Sequence, residues 1–239
     1  MRRALVLGLV LVAACSSGGH ASSNAAADLS RAVAHTLSFG SAHITVVMSD
    51  GLQQDSIENF AAHDAEGTTT TPKFAVQGRL VNGVEYFKVP KNARAAFGNP
   101  ETPWVSIGAP DDPAGAAPVD ALLYGAYNVK RTNATQFSGS INLLQVVNRM
   151  PPAVRAEFAR HLNVEKGVQN LARIVGFTPS FKATLDPQGR VVFFALSSTV
   201  GSHVSSISYG LFDFGVKTHI VAPPASQVSP LPGGSGPTI

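Results

Sequence analysis

Cysteine is nearly absent from this chain, since Cys15 is the only one among 239 residues. An internal disulfide is therefore excluded, and a cysteine-based zinc site lacks its ligand set. Charged residues are also scarce, at 14%, whereas apolar residues make up 44% of the sequence. This balance is typical of an ordered globular body and is unlike that of a disordered chain.

Clusters of lysine or arginine are missing as well. The chain has 18 basic and 15 acidic residues, and its formal net charge is +3. Arg2 and Arg3 account for two of the basic residues, so the remaining 16 nearly balance the acidic ones. Because nucleic acids are bound through clustered cations, we predict that nucleic acid is not a partner.

Motifs that carry catalysis are absent from the sequence. It contains no G-x-S-x-G, S-x-x-K or phosphate-binding glycine pattern. Its seven histidines show neither H-x-H nor H-E-x-x-H spacing. We therefore predict that the protein is not an enzyme, and that it has no metal site and no cofactor. A hydrolase without a recognisable motif is the least favoured alternative.

The N-terminus has the pattern of an export signal. Arg2 and Arg3 precede Ala4–Ala14, which contains no polar residue. Eleven apolar residues suit a signal peptide, because a membrane-spanning helix needs about 20. Val12-Ala13-Ala14-Cys15 resembles the bacterial lipobox, which implies that Cys15 carries a lipid anchor and that residues 1–14 are removed. An ordinary secretory cleavage site and an uncleaved anchor remain alternatives.

Composition divides the rest of the chain into three parts. Residues 15–27 contain Ser, Gly and Ala and are predicted to form a flexible tether. Residues 28–229 are predicted to form a single domain. Residues 230–239 are rich in Pro, Gly and Ser and are predicted to be a disordered tail.

Hydrophobic periodicity predicts a helix from about residue 28, followed by strands. Asn82-Gly83 is the preferred pair for a type I′ turn, so the flanking segments are predicted to form a hairpin. Eight residues are candidates for one concave apolar face: Ile44, Val46, Met48, Phe74, Val76, Leu80, Val84 and Tyr86. The alternative is that helices pack against this face and fill it, because periodicity does not distinguish a core from a cavity.

The remaining segments complete an α+β pattern. Residues 68–71 are predicted to be a loop or an exposed edge strand, and 141–176 to be helical. Val191–Leu196 is apolar at every position, which predicts a central strand covered on both faces. Further strands are predicted at 206–212 and 216–221. Runs of strands separated by helices favour an antiparallel sheet with helices on one face.

Two patches of sequence resemble a known family. The first consists of GVEYFKVP at 83–90 with PWVSI at 103–107, and the second of YGLFDFGV at 209–216 with IVAPP at 220–224. Together with Cys15, they resemble the mycobacterial LppX/LprG-type lipoproteins. The resemblance implies a LolA-like fold, in which a curved antiparallel half-barrel is covered on its concave face by helices, with a hydrophobic cavity between them.

The same resemblance implies a function in the cell envelope. Proteins of this type bind or move lipids and glycolipids, so we expect a lipid-carrying lipoprotein on the outer face of the cell membrane. The expected partners are a lipid or glycolipid, the membrane through Cys15, and an envelope transporter. The alternative is a tethered structural or protein-interaction lipoprotein with a filled core.

The lipid anchor gives a direct prediction. Cys15→Ala removes the thiol that would be acylated, so the protein should leave the membrane fraction, as measured by cell fractionation and immunoblotting. Ser16→Ala is the matched control and should stay in that fraction. Unchanged partitioning of Cys15→Ala would refute the anchor.

Overall fold

The structure is a computed structural model that describes residues 21–94, 101–107, 119–142, 145, 178–200 and 203–230. The helices are α1 (Ala21–Leu37) and α2 (Asp120–Gly125). The strands are β1 (Ser41–Met48), β2 (Gln53–Asn59), β3 (Asp64–Thr70), β4 (Ala75–Val81), β5 (Val84–Lys88), β6 (Trp104–Ile107), β7 (Ala126–Arg131), β8 (Gln136–Ile141), β9 (Ser180–Leu185), β10 (Val191–Val200), β11 (His203–Phe212) and β12 (Val228–Pro230).

All twelve strands belong to one open, curved sheet with the order β12-β6-β5-β4-β3-β2-β1-β11-β10-β9-β8-β7. Every neighbouring pair is antiparallel except β12 and β6, which are parallel. The predicted curved antiparallel sheet is therefore confirmed. The helical covering is seen only for α1 and α2. Of the helical stretch predicted at 141–176, the prediction for Ile141 is wrong, because this residue ends strand β8, and residues 143–144 and 146–176 lie outside the described residues.

Helix α1 packs across one half of the sheet. It lies on β7 and β10 and against α2, and its apolar stripe of Ala25, Leu29 and Val33 is buried. The sequence predicts a stripe of Leu29, Val33 and Leu37 at helical i, i+4, i+8 spacing, and Leu37 is partly buried against the same core. The helix extends back to Ala21, so the part of the predicted tether at 21–27 is helical instead; alanine, the best helix former, dominates that segment.

The sheet buries its two faces to different extents. We call the face that carries Ile44 and Phe194 and packs against α1 the inner face, and the opposite face the outer face. Phe194 is fully buried, whereas its neighbour Phe193 is 40% exposed on the outer face. Strand β10 is therefore central, as predicted, but the prediction that it is covered on both faces is wrong. Successive side chains of a strand point to opposite faces, and only the inner one meets α1 here.

The polar segment after β1 forms two interior strands. Strands β2 and β3 hydrogen-bond to each other and are flanked by β1 and β4, so the prediction of a loop or edge strand at 68–71 is wrong. Their inner face carries Ser56 opposite Gly67. A Cβ at Gly67 would lie 2.6 Å from the Ser56 Cβ, so only glycine fits this position. Backbone pairing, rather than apolar alternation, holds these strands in the sheet.

The segment that follows β11 returns along the outer face. The predicted strand at 216–221 is wrong, because this segment is irregular and its hydrogen bonds go to other strands. Ser41 Oγ donates to the Val216 carbonyl at 2.6 Å, and an Arg79 guanidinium N–H donates to the Val221 carbonyl at 3.0 Å. The segment then ends in β12, which pairs with β6 at the edge of the sheet.

A small apolar core lies on the outer face beneath this segment. Val81 and Val84 are buried there, together with Trp104. The Arg79 guanidinium lies 5.2 Å from the centre of the Trp104 ring, within the range of a favourable cation–π interaction. The sheet therefore has two cores, one on the inner face at α1 and one on the outer face at β4–β6.

Two adjacent phenylalanines test the assignment of faces. Phe194→Ala should lower the free energy of unfolding by about 3–5 kcal/mol, because it leaves a cavity in the inner core. Phe193→Ala removes the same atoms from the exposed face and should cost less than about 1 kcal/mol. Denaturant unfolding measures both, and equal losses would contradict the assignment.

Candidate functional site

Three of the eight candidate residues lie together on strand β1. Ile44, Val46 and Met48 all point to the inner face, since they alternate along one strand. Ile44 and Val46 are buried in the core that packs against α1, and Met48 is half-buried. Along β1, the inner face is therefore a packed core rather than an open surface.

Two more candidates continue the inner face at β4. Residues directly opposite each other in a ladder share a face, so the pairing can be followed from β1 across the sheet. Ile44 pairs with Ser56, Ser56 with Gly67, and Gly67 with Gly78. Val76 and Leu80 lie two residues to either side of Gly78, so both are on the inner face, and both are half-buried.

The structure does not place Val84 and Tyr86 with the other candidates. Val84 pairs with Val81 and Tyr86 with Arg79, so both lie on the outer face, and the prediction that they share one apolar face with β1 and β4 is wrong. The Asn82-Gly83 turn has two residues, both with positive φ. A two-residue turn sets Leu80 opposite residue 85, which reverses the odd and even positions that face inward.

Phe74 lies outside the strands. It precedes β4 and is 46% exposed, and its backbone N–H donates to Thr71 Oγ1 at 3.1 Å. Cys15, the candidate lipid anchor, lies outside the described residues.

Sequence reasoning missed the inner-face residues of β5 and β6. Phe87 pairs with Gly78 and with Val105, and Ile107 pairs with residue 85, which places all three on the inner face. Val105 is buried, while Phe87 and Ile107 are half-buried. The Asn82-Gly83 turn could have revealed these residues. A two-residue turn makes even-numbered residues of β4 share a face with odd-numbered residues of β5, which selects Phe87 instead of Tyr86.

The inner face therefore continues well beyond the core at α1. Among the described residues, that core contains no member of β3, β4, β5 or β6. The inner face of these four strands consists of apolar and small residues with few polar side chains: Ala65, Gly67, Thr69, Val76, Gly78, Leu80, Glu85, Phe87, Val105 and Ile107. We call this surface the β3–β6 inner surface.

Tyr209 packs against the core on the β11 side of β1. Tyr209 stacks on Phe194 with their ring centroids 4.3 Å apart, and it pairs with Val46. Burial, together with the nearby charge of Glu58, raises the pKa of Tyr209 to about 12. The phenol therefore stays protonated and neutral throughout the physiological range.

This chain is similar to solved structures at low sequence identity. No protein-family model matches the chain, and no curated protein matches it either. The crystal structure of LprF from Mycobacterium bovis is similar at 13% identity and a TM-score of 0.49, over 86% of this chain and 99% of that one. A porin-like protein from Bacteroides uniformis is similar at 10% identity and a TM-score of 0.26, over 72% of this chain and 96% of that one.

Within the described part of the chain, no helix combines the length and the apolar character needed to cross a membrane.

Tyr209 gives a prediction about pH. Its pKa is raised to about 12 from the ordinary 10.0, so above pH 10 the unfolded chain loses this proton while the folded protein keeps it. Stability should therefore fall between pH 10 and 12, by up to roughly 3 kcal/mol relative to Tyr209→Phe. Denaturant unfolding across this range measures the difference. Tyr127→Phe, on the outer face, is the control and should lose stability with pH as the wild type does. If the free energies of unfolding of the wild type and Tyr209→Phe fall in parallel, the raised pKa of Tyr209 is contradicted.

Proposed function

We propose that this protein is a cell-envelope lipoprotein that binds or carries a lipid or glycolipid on the inner face of its sheet. The observation that carries this proposal is the β3–β6 inner surface, an apolar area that continues past the core at α1. Val76, Leu80 and Phe87 are half-buried, so they retain apolar surface that an acyl chain would cover.

The mechanism needs no catalytic residue. Each CH₂ group that leaves water for an apolar surface contributes ~0.8 kcal/mol, so a chain of ordinary length gains enough to offset the cost of its immobilisation. A Cβ at Gly78 would lie 3.8 Å from the Phe87 ring, an ordinary contact distance, so this glycine leaves room beside Phe87 for a thin, flexible ligand. The protein would therefore act as a carrier that lowers the cost of moving a lipid through water.

The proposed location depends on Cys15. An acylated Cys15 would hold the protein on the outer face of the cell membrane, beside the bilayer from which cargo is taken. Delivery to an envelope transporter is the corresponding partner interaction. Neither step requires a metal or a cofactor.

A second candidate function is supported by the outer face. Val47, Phe193 and Phe212 are each exposed by 40% or more on β1, β10 and β11. Exposed apolar residues on neighbouring strands are typical of a protein-binding surface. A tethered interaction lipoprotein with a filled interior would use this face and would carry no lipid.

Lipid extraction distinguishes the two functions. The full chain, purified from membranes and extracted into organic solvent, should release a stoichiometric lipid that mass spectrometry detects. Val76→Glu places a carboxylate on the β3–β6 inner surface and should reduce bound lipid at least about tenfold, because burying an unpaired charge costs several kcal/mol.

Gln77→Glu is the matched control, since it makes the same side chain at the next, exposed position on the outer face. It should leave bound lipid unchanged. Melting curves of both variants establish that they are folded. An extract without lipid, or equal lipid in the two variants, would favour the interaction lipoprotein.

A further inference from the structure

Charge is divided unevenly across the sheet. Strands β2, β3, β4 and β5 carry five carboxylates and two cations. Strands β7, β8 and β9 carry three cations, Lys130, Arg131 and Lys182, and no carboxylate. Strands β10 and β11 contain no Asp, Glu, Lys or Arg. A chain with nearly balanced charges thus has one basic edge, made of β7–β9, and one acidic half.

The two lysines of the basic edge share a face. Lys130 pairs with Ser138, and Ser138 pairs with Lys182 on the far side. Both lysines therefore lie on the outer face, two strands apart, or roughly 10 Å. Both are exposed. In the described structure, the residues that strand pairing places around them on this face include Tyr127, Ser138, Ser140, Thr184 and Ala195, none of which is acidic.

Arginines extend the basic edge to α1. Arg131 lies on the edge strand β7 and pairs with Asp28 of α1, with its Nη2 3.4 Å from Asp28 Oδ2. Arg31 pairs with the same carboxylate, and its side chain is 73% exposed. One carboxylate therefore serves two guanidinium groups, and the corner between α1 and β7 keeps a net positive charge.

The N-terminal end of the chain enters the body at this corner. Asp28 lies seven residues after Ala21, which is about 11 Å along a helix. Cys15 lies six residues before Ala21, and six residues reach at most about 20 Å. A lipid on Cys15 would thus hold the basic edge within roughly 30 Å of the bilayer surface.

We propose that the basic edge docks on an anionic lipid surface and orients the anchored protein on the membrane. The partner is a bilayer rich in anionic headgroups, such as phosphatidylglycerol. This orientation rests on the proposed attachment at Cys15. Docking turns the carboxylates of the acidic half away from the anionic headgroups, because like charges repel.

Lysine footprinting of the full-length lipidated chain tests the proposal. The protein is reconstituted on vesicles of phosphatidylcholine alone, or of an equal mixture of phosphatidylcholine and phosphatidylglycerol. An amine-reactive reagent then modifies exposed lysines, and mass spectrometry measures each site. Modification of Lys130 and Lys182 should fall about fivefold on the anionic vesicles, and high salt should restore it. Lys73 and Lys217, which are exposed elsewhere, should be modified equally on both vesicles.

A charge-matched pair of variants shows whether the lysines cause the docking. Ser138→Cys places a thiol between Lys130 and Lys182 for a polarity-sensitive fluorophore, while the acylated Cys15 does not react. The fluorophore should shift to the blue on anionic vesicles. Adding Lys130→Gln and Lys182→Gln should abolish the shift, whereas adding Lys73→Gln and Lys217→Gln should preserve it.

Three results would overturn the proposal. They are equal modification of Lys130 and Lys182 on the two kinds of vesicle, equal blue shifts in the two sets of variants, and protection by soluble heparin without protection by vesicles. The last would assign the basic edge to an acidic macromolecule. Lipid extraction tests the proposed carrier function separately from docking. A protein without bound lipid would still dock through its lysines, and a protein that fails to dock would still release its bound lipid on extraction.

Discussion

The pairing of β1 with both β2 and β11 is the constraint on which the rest of the sheet depends. Through β1, the strands from the first part of the chain join those from the last part in one continuous ladder. The register at this seam places Ile44 opposite Ser56 on one side and Leu211 on the other. Because side chains alternate with a period of two, this alignment determines which residues of β2, β1 and β11 share the inner face.

Much of the fold is predictable where local chemistry and tertiary packing agree. The stripe of Leu29 and Val33, the alternation of Ile44 and Val46, and the Asn82-Gly83 turn each specify an element that the structure contains. The missed strands β2 and β3 have no such signal. Apart from Ile57, their side chains are polar or small. Gly67 is required by the close approach of Ser56, which is a contact between strands that no local pattern records.

The candidate surface was also predictable only where a local pattern determines it. Strand periodicity correctly groups residues within β1 and within β4, but it does not link one strand to the next. That link depends on the turn, and the two residues between Val81 and Val84 reverse the parity. Val84 therefore belongs to the outer core under the C-terminal segment, and Phe87 takes the place on the inner face that was assigned to Tyr86.

The parallel contact between β12 and β6 has a consequence for how the protein is made. Val228 must find Trp104 across 124 residues of chain, and Leu211 must find Ile44 across 167. Sheets built from such distant partners assemble slowly, and their strand edges stay unprotected until the last segment arrives. The β12 edge of the sheet therefore forms only once Val228–Pro230 is present, so β6 lacks its partner strand on that side until then.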